Sequence, residues 1–257
     1  MPTIQGHFVW YDVMTTDLPA AEAFYTRVIG WTAQGMGSPD RPYTVFSVGK
    51  VGVGGLMPIP ADALAAGMPP CWTGYISVDD VDGFARRVRE QGGMVRRPPE
   101  DIPGVGRFAV VGDPQGAGFI LFRANGTPPD APLPPDAPGK VGWHELVTDD
   151  REAGFAFYAD LFGWTKAEAV DLGPMGVYQT FATGGPAVGG MFQRGPGMPG
   201  PAWRYYFNVA GIDAAIARVT AGGGSVAQGP MQVPGGSWIA NCLDPQGAAF
   251  AMVAPVR

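Results

Sequence analysis

Few residues in this chain can do chemistry, and their spacing limits what that chemistry is. The 257 residues include only two histidines, His7 and His144, and two cysteines, Cys71 and Cys242. There is no nucleophile elbow, phosphate-binding loop, dinucleotide fingerprint or Cys/His cluster. The glycine runs Gly92-Gly93 and Gly222-Gly223-Gly224 follow helices, where they act as stops rather than phosphate cradles. What remains is a pair of carboxylates, Asp12 and Glu145, each two residues after a tryptophan, in WYDV and WHEL. On a strand, residues i and i+2 share a face, so each carboxylate stands beside an indole, Trp10 or Trp143. Such a carboxylate can take a proton from carbon next to a carbonyl. Equally, it can accept hydrogen bonds from backbone or arginine and do no chemistry.

The segments that must position these pairs occur twice. TTDLPAAEAFYTRVIGW (15–31) returns as TDDREAGFAFYADLFGW (148–164), and VGVGGLM (51–57) as AVGGM (187–191). GMPPCWTGYISVDDVDGFARRVREQGG returns as GMPGPAWRYYFNVAGIDAAIARVTAGGG, and GRFAVVGDPQGAGFILF as GSWIANCLDPQGAAFAMV. Within each half a weaker repeat reads strand, helix, then three short strands, given twice. Asp17 can cap a helix running to Ile29, with Ala21, Phe24, Tyr25 and Val28 on its apolar face and Gly30 as its stop. A second helix carries Val81, Phe84 and Val88. HFVWYDV, TVFSV, VGVGGLM, WTGYISV, MVRRP, RFAVV and GFILF read as strands, and Asp113-Pro114-Gln115-Gly116 as a tight turn repeated at Asp244-Pro245-Gln246-Gly247. Between the halves, ANGTPPDAPLPPDAPG is an extended tether. The expected organisation is therefore a domain at 1–124, a linker at 125–139 and a domain at 140–257.

Composition narrows the function classes. With 46% hydrophobic and 16% charged residues, both halves can bury a core. A net charge of −6 without a basic run argues against nucleic acid and anionic membrane surfaces as partners. No apolar run approaches the roughly 20 residues that span a bilayer, and MPTIQGHFVWYDVMTTDL lacks a signal-peptide pattern. The cysteines fall at non-equivalent places, so a disulfide is not expected and a reducing cytoplasm is.

Taken together, the paired repeats, D-(x)7-F-Y before G-W, and a D-P-x-G turn before the last strand resemble the glyoxalase/bleomycin-resistance/dioxygenase family, the vicinal-oxygen-chelate fold. W-x-[DE]-[LV] and V-G-G place the likeness nearest its duplicated members. The resemblance implies an α+β fold of four βαβββ modules in two tandem domains, each with a curved, cup-like eight-stranded sheet. Metal-using members draw ligands from four strand positions. These carry over to Trp10, Val53–Met57, Thr73 and Ile120 in the first half, and to Trp143, Val188–Phe192, Arg204 and Ala251 in the second. None offers His, Asp or Glu, and the arginine would repel a cation. No metal ligand and no cofactor are therefore expected, with Zn, Ni, Fe or Mn only as the alternative.

With Trp10 inward, strand alternation turns Asp12, Thr73, Tyr75 and Ser77 into the first cup. It turns Trp143, Glu145, Arg204, Tyr206 and Asn208 into the second. Arg204 could hold an anionic group or pair with Glu145. Trp72 and Trp203 fit a core or a ligand wall equally. Arg107, matched by Ser237, suggests that the cups differ in task. Two functions follow. One is metal-free binding of a small, partly aromatic molecule in the manner of bleomycin-resistance relatives, with a homodimer open. The other is a lyase, isomerase or dioxygenase that uses a metal at other ligands or Asp12 or Glu145 as general base.

Overall fold

Asp17 opens the first helix as expected: its carboxylate accepts the Ala20 N–H at 3.0 Å, Pro19 lies in the first turn, and Gly30 closes the end at φ 90°. Asp150 and Gly163 repeat this device, with the glycine at φ 72°. The first module is β1 (Phe8–Thr15), α1 (Leu18–Ile29), β2 (Thr32–Gly35), β3 (Thr44–Val48) and β4 (Val51–Pro58). After a short helix, α2 (Ala61–Ala65), which buries nothing, the second runs β5 (Cys71–Ser77), α3 (Val81–Glu90), β6 (Met94–Ile102), β7 (Gly106–Gly112) and β8 (Gly118–Ala124). The third is β9 (Val141–Thr148), α4 (Arg151–Phe162), β10 (Thr165–Asp171), β11 (Val177–Ala182) and β12 (Ala187–Gln193). The fourth is β13 (Ala202–Asn208), α5 (Ile212–Ala221), β14 (Ser225–Gln232), β15 (Trp238–Leu243) and β16 (Ala249–Ala254). Strand β2 was not legible in advance, because TAQG is a mostly exposed edge without apolar alternation.

This computed structural model describes residues 5–126 and 133–257; the first four residues and the middle of the proline-rich tether, 127–132, lie outside the described residues. The strands form two eight-stranded mixed sheets, one per sequence half, in the orders β2-β3-β4-β1-β5-β8-β7-β6 and β10-β11-β12-β9-β13-β16-β15-β14. β1 runs parallel to β4, β5 to β8, β12 to β9 and β13 to β16, while the hairpin neighbours are antiparallel. The fold is α+β, built from four βαβββ modules. Among the described residues no helix is long and apolar enough to cross a membrane.

The chain packs as two compact units. One holds the described parts of Met1–Val9, Thr73–Pro129 and Trp143–Trp203, and so joins the second module to the third. The other holds Trp10–Trp72, the described part of Asp130–Gly142, and Arg204–Arg257, and joins the first module to the fourth. Each unit thus draws on both halves of the sequence.

Each core is aromatic. In the unit of the first and fourth modules, Trp31 stacks on Phe46 with centroids 5.0 Å apart, and Phe207 and Phe250 close around Tyr25 and Trp72. In the other, Trp164 stacks on Phe181 at 4.4 Å and on Tyr158 at 5.1 Å, with Trp203 edge-on to Tyr158. Trp72 and Trp203 are therefore core residues, 6% and 7% exposed, and not ligand walls. Their indoles donate to the Tyr25 and Tyr158 hydroxyls at 2.8 and 2.9 Å. The tether's described end is pinned: Trp31 Nε1 donates to the Gly139 carbonyl at 2.7 Å, as Trp164 Nε1 does to that of Gly6 at 2.8 Å.

Candidate functional site

Strand alternation sorts β1 into two faces. Tyr11 and Val13 turn into the core, and Trp10 and Asp12 share the opposite face. The Trp10 indole N–H donates to Asp12 Oδ1 at 2.9 Å and to the Tyr43 hydroxyl at 2.8 Å. Tyr43 donates in turn to the same Asp12 oxygen at 2.8 Å. Indole, phenol and carboxylate therefore meet in a closed triangle around an aspartate that is 1% exposed. Burial, then the Asp12 charge and hydrogen bond, pushes the Tyr43 phenol far above its ordinary range. Tyr43 is a fixed donor.

Room for this triangle comes from β4. The parallel register sets Asp12 opposite Gly55, and a Cβ on Gly55 would collide with both the Tyr43 hydroxyl and Asp12 Oδ1. Its neighbour Gly54 faces the other way, where a Cβ would lie 2.7 Å from the Tyr11 carbonyl.

The second half rebuilds the indole–phenol pair. Trp143 Nε1 donates to the Tyr178 hydroxyl at 2.7 Å, and Glu145 pairs with Gly190, whose Cβ would strike the Tyr178 ring. Glu145 is 7% exposed and is engaged by further groups. His144 faces away. Its Nδ1 lies 2.8 Å from the Val188 carbonyl and its ring stacks on Phe8 at 4.3 Å.

Reading the sequence for chemistry missed Tyr43 and Tyr178. A signal existed: they are 135 residues apart, the same separation that relates Gly55 to Gly190. The V-G-G repeat was read as a family marker, yet its physical role is to clear space for these rings.

The remaining candidates divide. Thr73, Tyr75 and Ser77 are buried on one face of β5, with Tyr75 edge-on to Phe122 at 5.7 Å. On β13, Arg204 is half-buried, Tyr206 is 3% exposed, and both are engaged by other groups. Asn208 donates its amide to the Pro135 and Ala137 carbonyls of the tether, at 2.9 and 3.3 Å, and so anchors the chain between the halves. Arg107 is held by Asp82 and Asp101 in a surface ion-pair network and carries no evidence of different tasks in the two halves. A depression of about 400 Å³ beside α3, lined by Asp79, Phe84, Arg86 and Glu90, includes none of the candidates.

Metal-binding relatives need imidazole or carboxylate donors converging on one point. The corresponding residues here are indole, hydroxyl, aliphatic and guanidinium groups, and among the described residues no three His, Cys, Asp or Glu gather. Asp12 Oδ1 already accepts from Trp10 and Tyr43. The donor set does not fit a divalent metal.

Comparison with known proteins is consistent across sequence and fold. The profile of the Glyoxalase/Bleomycin resistance protein/Dioxygenase superfamily matches residues 5–121 and 140–252. CFP32 of Mycobacterium tuberculosis, provisionally named a glyoxylase, is 36% identical over 260 residues, covering 98% of this chain and 95% of its own. The anthracycline biosynthesis protein DnrV of Streptomyces peucetius is 36% identical, covering 96% and 93%. Among solved structures, the Mn(II)-bound glyoxalase of Novosphingobium aromaticivorans aligns at TM-score 0.64 and 18% identity, covering 97% of this chain and 81% of that one. The 2,2',3-trihydroxybiphenyl 1,2-dioxygenase of Sphingomonas wittichii aligns at 0.67 and 14%, covering 97% and 90%.

Proposed function

This chain belongs to the glyoxalase/bleomycin resistance protein/dioxygenase superfamily, and we propose that it binds a small, partly aromatic organic molecule against its Trp–carboxylate–Tyr clusters without a metal. One observation carries this reading: each half joins a tryptophan to a tyrosine hydroxyl, Trp10 to Tyr43 and Trp143 to Tyr178, with a carboxylate, Asp12 or Glu145, two residues along the same strand, and clears the tyrosine with a glycine. Aromatic walls with a few convergent polar groups suit a flat organic ligand. DnrV, a relative at 36% identity, is named for anthracycline biosynthesis, which supports an aromatic ligand class. Thr73 and Tyr75 on β5, and Arg204 and Tyr206 on β13, are the further ligand-facing residues of this reading.

The test is a titration of tryptophan emission with small aromatic compounds, on the wild type and on Tyr43→Phe and Tyr178→Phe. Saturable quenching that weakens in either variant supports binding at that cluster. Identical curves in all three proteins remove it.

A second reading, catalysis, is favoured by the burial of Asp12 and Glu145 at corresponding places and by the glyoxylase name of CFP32. In it, one carboxylate takes a proton from carbon next to a ligand carbonyl. Asp12→Asn or Glu145→Gln would then abolish solvent deuterium exchange into a bound carbonyl compound while leaving its binding intact. Exchange that survives both substitutions excludes this role.

A further inference from the structure

The two sheets differ where β13, β14, β15 and β16 run side by side. One face of these strands is sealed core, with Phe207, Ala240, Phe250 and Met252 no more than 1% exposed. On the other face the register aligns Tyr206 with Ala251, Ala251 with Asn241, and Asn241 with Gln228. Residues paired across a ladder point the same way, so these side chains form one row. The corresponding row of the first sheet is Tyr75, Ile120, Val110 and Arg97. The second sheet therefore replaces two aliphatic side chains with a methyl and an amide.

Asn241 is 9% exposed, and its Nδ2 donates to Gln228 Oε1 at 3.2 Å. Its Oδ1 is shielded from solvent and has no hydrogen-bond partner among the described residues. A buried amide oxygen left unmatched is costly, and such groups persist where an incoming partner completes them. Beside it the row carries the methyl of Ala251 where the first sheet carries the longer Ile120. Rotating both amides together would present Nδ2 in place of Oδ1, and a hydroxyl, being donor and acceptor, satisfies either arrangement.

We propose that Asn241, held by Gln228 beside Tyr206, is the residue that selects a hydroxyl-bearing aromatic ligand on the second sheet. This deepens the binding reading above and rests on it. Because Oδ1 is shielded, a hydrogen bond there does not compete with water, and its loss is felt in full.

Equilibrium dialysis with 2-naphthol and its deoxy counterpart naphthalene tests this on the full chain and on Asn241→Val, the residue type of Val110 in the first sheet. The wild type should bind 2-naphthol about 5- to 10-fold more tightly than naphthalene. Asn241→Val should bind both alike, with a melting temperature unchanged or raised, since the unmatched oxygen is gone. Equal binding of the two probes by the wild type overturns the hydroxyl selection and leaves the aromatic reading standing. A preference that persists in Asn241→Val also overturns it. If that variant no longer folds, the amide is a structural part of β15 and the proposal falls. If neither probe binds, the binding reading falls and takes this one with it.

Discussion

The Tyr25 hydroxyl, on α1, donates to Oδ2 of Asp244 at 2.9 Å, joining residues 219 apart in the sequence. Tyr158 repeats the bond to Asp113 at 3.1 Å. In each case the aspartate's other oxygen accepts two backbone N–H groups, one in its own D-P-Q-G turn and one just after it, Gln246 and Ala248 or Gln115 and Ala117. One carboxylate thus closes a local turn and holds a helix from the other half of the chain, inside a single compact unit.

Replacing Tyr25 or Tyr158 by Phe leaves a buried carboxylate oxygen without its donor and should cost about 1–3 kcal/mol. Urea unfolding measures this. A pH arm adds a sign. Burial is the largest influence on Asp244 and, despite bonds from Ala248, Tyr25, Gln246 and Gly247, raises its carboxyl above the ordinary range. A group whose folded value is raised holds its proton longer when folded, so it favours folding at low pH. That contribution is lost as pH climbs through the raised value. Asp244→Asn lacks it, so the wild type should lose stability relative to this variant as pH rises from about 4. A constant difference across that range would show that the carboxyl is not raised.

Gly55→Ala and Gly190→Ala should each cost about 1–3 kcal/mol by overpacking against Tyr43 and Tyr178. Removing the obstructing ring should recover part of that loss. A double-mutant cycle of Gly190→Ala with Tyr178→Ala is therefore expected to couple by at least about 0.5 kcal/mol. Strict additivity would separate the V-G-G glycine from the tyrosine.

Trp10 and Trp143 should behave as one class, and Trp72 and Trp203 as another. Trp72→Phe removes the donor to the buried Tyr25 hydroxyl and leaves a void, for about 2–3 kcal/mol. Trp10→Phe, on the half-buried face, removes one donor to Asp12 Oδ1 while Tyr43 remains as another, and should cost less, about 1 to 1.5 kcal/mol. Acrylamide quenching should fall mainly in Trp10→Phe and Trp143→Phe, since Trp72 and Trp203 are already shielded. Equal costs and equal quenching for Trp10 and Trp72 would count against a distinct ligand face.

Protein expressed with added Zn, Ni, Fe and Mn should carry less than about 0.2 equivalents after dialysis, because no three imidazole, thiol or carboxylate donors converge among the described residues. Elemental analysis decides it. Near-stoichiometric metal would require ligands other than those the family resemblance implies.

What the sequence determined by itself was everything set by short-range geometry. The period of two placed Trp10 with Asp12 and Trp143 with Glu145, and the helical period put Tyr25 and Tyr158 on apolar faces. The Asp17 cap, the Gly30 stop and the D-P-Q-G turns depend on backbone dihedrals and bonds within a few residues, so composition announces them. The duplication itself was plain from matching segments. Only the tertiary structure decided which partners those faces meet. Tyr43 closes on Asp12 because a loop and β3 bring it across, and nothing local to either residue encodes that approach. Whether a tryptophan lines a face or fills a core was also undecided by residue type: Trp10 and Trp72 differ in what packs above them. Asn208 alternates onto the same face as Tyr206, yet its amide bends to the tether carbonyls. The module pairing that lets Tyr25 reach Asp244 involves segments so distant in sequence that no periodicity carries it, since it follows from which buried faces fit each other.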